Sequence, residues 1–391
     1  MNYVPGTGWW YSWVDWDPAA VGRDLDAIAQ LGADHIRIHC LWPVFQPNAN
    51  LVSAVMVERA RELVEAASMR GLDVCVAVLD GWLSGFDFRP AWLGDSGNMF
   101  TDTLAIEAQR LLISELAAAL NPSSAFLGFD VGNEVNVLSQ TLRNPTGGRQ
   151  GGEWSALMLE HIEAVSPGRL HTNGVDHNPW LTDGTTFDRP TLASTGSVTS
   201  VHAWSYFTGA LERYGEGSTG VTFLSVFMLE LAKAYHVDLA RPVWLQEIGV
   251  AHQWLTATTP EDFTRASIEA ASTVEDLWGI TWWCSHDVDR RLAGFAELEY
   301  DLGLLTVDNV VKPMGRAFQE AAGRARSATP QRRERALVLR SGQTPDLQFA
   351  DAFFAQVDAG RSPAIVLEER AADTAYLSSR GIGSLLQASH A

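Results

Sequence analysis

The sequence predicts an α/β chain folded as a (β/α)8 TIM barrel with a small C-terminal α/β appendage. Apolar runs of strand length alternate with stretches of helical period from the first residues to about residue 325, which is the pattern of parallel sheets built from strand-helix units. Two of the runs end in a glutamate. Glu134 follows the apolar residues 125–129 and Glu247 follows residues 242–245, and barrel enzymes collect their working side chains at the carboxyl ends of different strands. An open doubly wound sheet would want a phosphate-cradling glycine loop after an early strand; Gly147-Gly148 and Gly151-Gly152 have neither the spacing nor the strand.

The elements follow in order. Residues 2–10 read as the first strand. Asp17 is an N-cap with Pro18 at the first helical position, and Val21, Leu25, Ile28 and Leu31 keep helical spacing until Gly32 stops it. The second unit joins a strand at 35–40 to a helix at 53–70 closed by Gly71, and the third joins a strand at 73–79 to a helix at 101–120. The fourth strand runs into Asp130-Val131-Gly132-Asn133-Glu134, with a helix near 153–165. Residues 170–175 and 199–204 are the fifth and sixth strands, with helical stretches near Asp183 and over 221–236. The seventh strand, 243–247, precedes a helix at 260–277, and the eighth, 279–284, precedes a closing helix at 313–324. The catalytic barrel thus spans 1–325. Residues 326–391 form the appendage: a basic linker at Arg332-Arg333-Glu334-Arg335, then a strand at 336–339, a helix at 349–357 and a strand at 364–367, packed on the barrel.

Composition narrows the function. With 391 residues and 46% hydrophobic content the chain can bury one large core. A net charge of −19 provides no electrostatic footprint for nucleic acid or an anionic membrane. No stretch approaches the ~18 apolar residues of a membrane span, and residues 1–5 lack a basic segment followed by an apolar one. The expected location is the cytoplasm. Cys40, Cys75 and Cys284, odd in number and set in apolar runs, read as buried free thiols. His35 and His39 share one strand face, but no third ligand is spaced to join them, so they read as structural; the sequence implies no metal and no cofactor. The 15 tryptophans are the compositional outlier. Several, among them Trp42, Trp204 and Trp283, fall in or just after strands, where flat aromatic faces suit the apolar faces of sugar rings.

Strands four and seven stand across the barrel mouth from each other, so Glu134 and Glu247 would flank one ligand. Paired carboxylates flanking one bond are the apparatus of glycoside hydrolysis. Either glutamate alone could cap a helix or pair with an arginine on the rim; two, each preceded by an amide residue (Asn133, Gln246), favour the chemistry.

Gly132-Asn133-Glu134, Trp244-Leu245-Gln246-Glu247, Arg37 and Trp283 together resemble glycoside hydrolase family 5, a family of retaining clan A barrels. Leu41-Trp42-Pro43-Val44-Phe45-Gln46-Pro47, Trp282-Trp283-Cys284-Ser285-His286-Asp287 and the C-terminal appendage bring the resemblance closest to subfamily 18. It implies Glu134 as acid/base and Glu247 as nucleophile, with Asn133 on the sugar 2-hydroxyl, Arg37 keeping Glu247 ionised, Trp283 beneath the reacting sugar and His202 in the same subsite. Trp42 and Trp204 join the substrate-binding set. His286 and Asp287 either contact sugar hydroxyls or make ordinary loop hydrogen bonds. The chain departs from the family at His202-Ala203-Trp204, where His-x-Tyr is usual, and at Leu79-Asp80-Gly81-Trp82, which lacks a common histidine.

The implied activity is that of an exo-β-mannosidase acting on short β-linked mannose oligosaccharides, including mannosyl-β-1,4-N-acetylglucosamine. An endo-β-1,4-mannanase and a β-glucosidase are the alternatives within the family. A sugar-binding barrel without catalysis and a metal-dependent barrel hydrolase are the alternatives outside it.

Overall fold

The computed structural model describes residues 1–140 and 143–387. Four strands, His35–Leu41, Asp73–Asp80, Phe126–Asn133 and Thr172–Gly174, pair in parallel in chain order, as do Thr199–His202, Val243–Ile248 and Leu277–Trp282. The two sets meet where Ser197 N donates to His171 O at 2.8 Å. On the other side the ring is closed by the chain start. Asn2 N donates to Trp282 O and Tyr3 N to Arg37 O, both at 2.9 Å, so residues 1–4 are the first stave between the eighth and the second.

That stave is shorter than the expected 2–10. Gly8 turns the chain at φ 77, and Trp9–Trp13 coil into a 3-10 helix. The reason lies in packing: Trp9 and Trp13 are buried, and Trp13 gives its indole N–H to His39 O at 2.8 Å, a contact that a straight strand could not make.

The helices form where caps and spacing place them. Asp17 accepts from Ala19 N and Ala20 N ahead of Pro18–Gln30, Ser53 accepts from Met56 N ahead of Ala54–Ser68, and Thr259 accepts from Asp262 N ahead of Pro260–Ala271. Thr103–Leu120 buries Leu112, Ile113, Leu116 and Leu120, one stripe at helical period. The helix from Pro260 ends at Ala271 instead of 277, because Asp276 turns the chain at φ 60 and Leu277 already belongs to the eighth strand. All three cysteines are free and buried.

At the C-terminus Arg335–Leu339 pairs in parallel with Pro363–Leu367 on one side and Ser384–Gln387 on the other. The expected strand-helix-strand unit therefore has a third strand, preceded by the helix Thr374–Ser379. Its helix Leu347–Asp358 lays Phe349, Phe353 and Phe354 around Phe227 of the helix Leu224–Ala234. The sandwich explains why every residue of Leu224–Ala234 is buried: one flank faces the strands and the other the appendage.

Candidate active site

The site grows from a buried ion pair at the barrel centre. Arg37, fully buried on the second strand, gives Nη2 and Nε to Asp130 Oδ2 at 2.6 and 2.9 Å. Asp130 also accepts from Gly174 N (2.7 Å), Gly132 N (3.2 Å) and Gln246 Nε2 (3.2 Å), so its charge is fully answered. Gly174 has to be glycine: a Cβ would sit 2.4 Å from Asp130 Oδ2. Arg37 then reaches up the barrel, donating to Asn133 Oδ1 at 2.9 Å and to Glu247 Oε2 at 3.5 Å.

Glu134 and Glu247 come together above this pair. One oxygen of each lies within 4.8 Å of the other, with His202 behind both. His202 Nδ1 is 2.9 Å from Glu134 Oε1 and 3.6 Å from Glu247 Oε2. Glu134 sits in the left-handed region at φ 43, where a non-glycine residue is strained, and its N–H is fixed on Gly174 O at 2.5 Å. Burial, with Asp176 adding to it, pushes the Glu134 carboxyl up to about 8. Burial, with Glu134 adding to it, also pushes Glu247 up, to about 7, against the pull of His202, of Arg37 and of the Trp204 indole N–H, which donates to Glu247 Oε1 at 2.8 Å. The departure at position 204 thus leaves the carboxylate with a donor, supplied by an indole.

The tautomer of His202 follows from its neighbours. Gln246 spends its amide nitrogen on Asp130, so its oxygen faces His202 Nε2 at 3.1 Å and requires a hydrogen there. In its neutral form His202 therefore presents a bare Nδ1 to Glu134, an acceptor for a protonated carboxyl.

Glu134, His202 and Glu247 are also the one group of atoms able to gather round a cation among the described residues. Their geometry is that of a hydrogen bond instead: ligand atoms around a tetrahedral zinc stand roughly 3.4 Å apart, whereas His202 Nδ1 and Glu134 Oε1 are 2.9 Å apart.

A cavity of about 450 Å³ opens over the carboxylates, walled by Asn133, Glu134, Trp204, Glu247 and Trp283 of the expected set. Gly249 makes room for two of these walls, since a Cβ there would lie 2.6 Å from both the Trp204 ring and Trp283 O. The Trp283-Cys284 peptide is cis. Arg37 and His202 stand behind the cavity and act through the carboxylates they touch. Trp42 and His286 are elsewhere. Trp42 opens the short helix Trp42–Phe45 and is fully buried, its N–H given to Gln46 Oε1 at 2.8 Å. His286 ties the chain start to a later loop, through Val4 O at 3.0 Å and Asn309 Oδ1 at 2.8 Å, so of its two readings the structure shows loop bonding.

Asp176, Phe207 and Glu299 are among the wall residues that escaped the sequence reading. Asp176 carried a signal, lying two residues past the fifth strand, and it is locked to Asn136 by bonds of 2.7 and 2.9 Å in opposite directions. Glu299 comes from a short 3-10 turn in the long loop after the eighth strand and carried none. Burial pushes its carboxyl up to about 7.

No family model matches this chain, and no curated protein matches it. Solved structures do. A variant of a GH5_18 enzyme from Streptomyces cattleya, in complex with Manβ1-4GlcNAc, is 42% identical over 99% of this chain and 98% of that one, with a TM-score of 0.95. A GH5_18 protein from Bifidobacterium longum subsp. infantis is 32% identical over 100% of this chain and 96% of that one, with a TM-score of 0.94. An exo-β-1,4-mannosidase from Opitutaceae bacterium strain TAV5 is 25% identical over 94% of this chain and 69% of that one, with a TM-score of 0.80. With near-complete coverage at such identities, the chain is a glycoside hydrolase and belongs to glycoside hydrolase family 5, subfamily 18.

Proposed function

We propose that the protein is a retaining exo-β-mannosidase acting on short β-mannosides such as mannosyl-β-1,4-N-acetylglucosamine, with Glu247 as nucleophile and Glu134 as acid/base. The observation that carries the mechanism is the spacing of the two carboxylates. Retaining enzymes hold them about 5 to 5.5 Å apart and inverting ones about 6.5 to 9.5 Å; Glu134 and Glu247 both approach one atom, His202 Nδ1, at 2.9 and 3.6 Å, with an oxygen of each within 4.8 Å of the other, a closeness that favours the first. The substrate is supported by the disaccharide bound to the Streptomyces enzyme and by the activity of the Opitutaceae one. Residues 1–325 are the catalytic unit on this reading and 326–391 the appendage.

In the first half-reaction Glu247 attacks the anomeric carbon while Glu134 protonates the departing glycosidic oxygen; the mannosyl-Glu247 ester forms as the old bond breaks. In the second, Glu134 takes a proton from water, the water oxygen attacks the same carbon and Glu247 leaves. The surroundings suit these roles. Arg37 and Trp204 favour a charged Glu247, and the bare Nδ1 of His202 favours a protonated Glu134. Asn133, its side-chain oxygen pinned by Arg37 and its nitrogen given to Trp82 O at 2.9 Å, is placed to meet the sugar beside the reacting carbon.

Exo action is supported by one wall of the cavity. Behind the wall residues Gly85 and Ala296, Trp10 stacks on Phe295 at 4.6 Å and meets Phe86 and Phe88 edge-on, both at 4.9 Å, clasping together the loops after strands one, three and eight. Phe207, on the cavity wall, is half-exposed and packs with half-exposed Tyr206 and with Trp254, aromatic surface on which a leaving group could rest. Digestion of mannotriose and of polymeric mannan, with p-nitrophenyl β-mannoside and β-glucoside in parallel, tests the reading. Single mannose units from the trisaccharide, little product from the polymer and preference for the mannoside are expected; an early oligosaccharide ladder from mannan would point to the endo alternative.

A further inference from the structure

A second cavity, of about 300 Å³, lies between the barrel and the C-terminal sheet. Lys233 and His236 enter it just ahead of the seventh strand, Glu275 and Asp276 just ahead of the eighth, so it sits at the amino ends of the strands, away from Glu134 and Glu247. The appendage contributes Arg332, Arg333 and Arg380. Four cationic side chains face three acidic ones, Glu230, Glu275 and Asp276, an excess of positive charge in a chain of net −19.

Internal pairing does not exhaust the cations. Glu230 lies between Arg333 and Arg380, at 2.6 and 3.3 Å, and Lys233 reaches Asp276 at 3.2 Å. Arg380 also donates to Ile365 O at 2.8 Å. Arg333, only 4% exposed, keeps a buried Nη2 with no acceptor, a costly state for a charged donor. Arg332 has neither a hydrogen bond nor an ion pair among the described residues. Arg332 is exposed and lies against the bare backbone of Gly381, at φ 70, where a Cβ would come within 2.6 Å of Arg332 Nε. The field in the cavity agrees, since burial together with Arg241, Lys233 and Arg380 holds His236 down at about 3.

We infer that this cavity binds a phosphate group, as the free ion or as the ester of a small metabolite, between Arg332 and the unpaired edge of Arg333, fastening the barrel to the C-terminal sheet. Two neighbouring guanidinium forks match the several oxygens of phosphate better than the two of a carboxylate. The volume leaves room beyond a bare ion for a small ester. A ligand that bridges the two parts in the folded state and is lost on unfolding raises the melting temperature.

The test is thermal unfolding of the full chain in potassium phosphate, in mannose 6-phosphate and in mannose, each against potassium chloride of equal ionic strength. At roughly a hundred times the dissociation constant a rise of about 3 °C is expected. Arg332→Ala, which gives up no internal partner, should weaken binding at least about tenfold, and Arg333→Gln should do the same where it folds. A larger shift with the ester than with phosphate assigns a metabolite; equal shifts assign the free ion. Phosphate shifts no larger than those of chloride, or shifts that survive Arg332→Ala, overturn the inference.

Discussion

The ends of strands four and seven present the same residue type under different rules. Glu247 stands among donors, Arg37 and the Trp204 indole, and Glu134 stands against the acceptor face of His202 with Asp176 nearby. Burial pushes both carboxyls up and Arg37 pulls on both, yet only Glu247 receives hydrogen bonds from Arg37 and the Trp204 indole against it. Two acids within 4.8 Å cannot both ionise cheaply, so the neighbours decide which keeps the shared proton. The difference teaches that role is assigned by the partners each strand brings and not by the glutamates themselves.

The comparison breaks most sharply on removal of each acid. Glu247→Ala should lose about 10⁴-fold or more in kcat on every substrate, because no other group can form the ester. Glu134→Ala should lose about 10² to 10⁴-fold on natural glycosides and far less on aryl mannosides with good leaving groups. Azide should restore turnover of Glu134→Ala with a β-mannosyl azide as product; rescue of Glu247→Ala to the β-azide instead would exchange the two roles.

A pH profile sharpens it further. Activity requires ionised Glu247 and protonated Glu134, so it should fall below about 7 as Glu247 takes up a proton and above about 8 as Glu134 loses one. Trp204→Phe removes a donor from the charged form of Glu247. The acid limb should move up by roughly one unit while the alkaline limb stays. An unmoved acid limb in that variant would mean that Trp204 only fills space.

The smallest effect concerns a tryptophan that is not in the cavity. Trp42→Phe should lower stability by about 1 kcal/mol through the lost bond to Gln46 and leave kcat/KM unchanged, in contrast to Trp283→Phe, whose ring walls the cavity.

Much of this was legible beforehand, for reasons that also mark the limits. Helices announced themselves through the Asp17-Pro18 start, the stops at Gly32 and Gly71 and helical spacing, and strands through apolar runs, because these signals are local. The stretch 2–10, which ends in Trp9-Trp10, read as one strand, but its turn depends on Gly8 and on distant partners such as His39. The last strand, Ser384–Gln387, holds too few apolar residues to show a period. Position 204 read as a loss, since only coordinates reveal that a longer ring delivers N–H to the same carboxylate. Glu299 was invisible: what makes it part of the wall is the path of a long loop, which no spacing encodes.

The central claim is that Glu247 carries the sugar while Glu134 moves the proton. Intact-mass analysis followed by peptide mapping, after incubation with a 2-deoxy-2-fluoro-β-mannosyl fluoride, tests it most directly, because the fluorinated ester forms and then breaks down slowly. A single fluoromannosyl group on the peptide containing Glu247, absent from Glu247→Ala, is the predicted result. Labelling of the Glu134 peptide, or turnover with no ester at any stage and inversion at the anomeric carbon, would contradict the account.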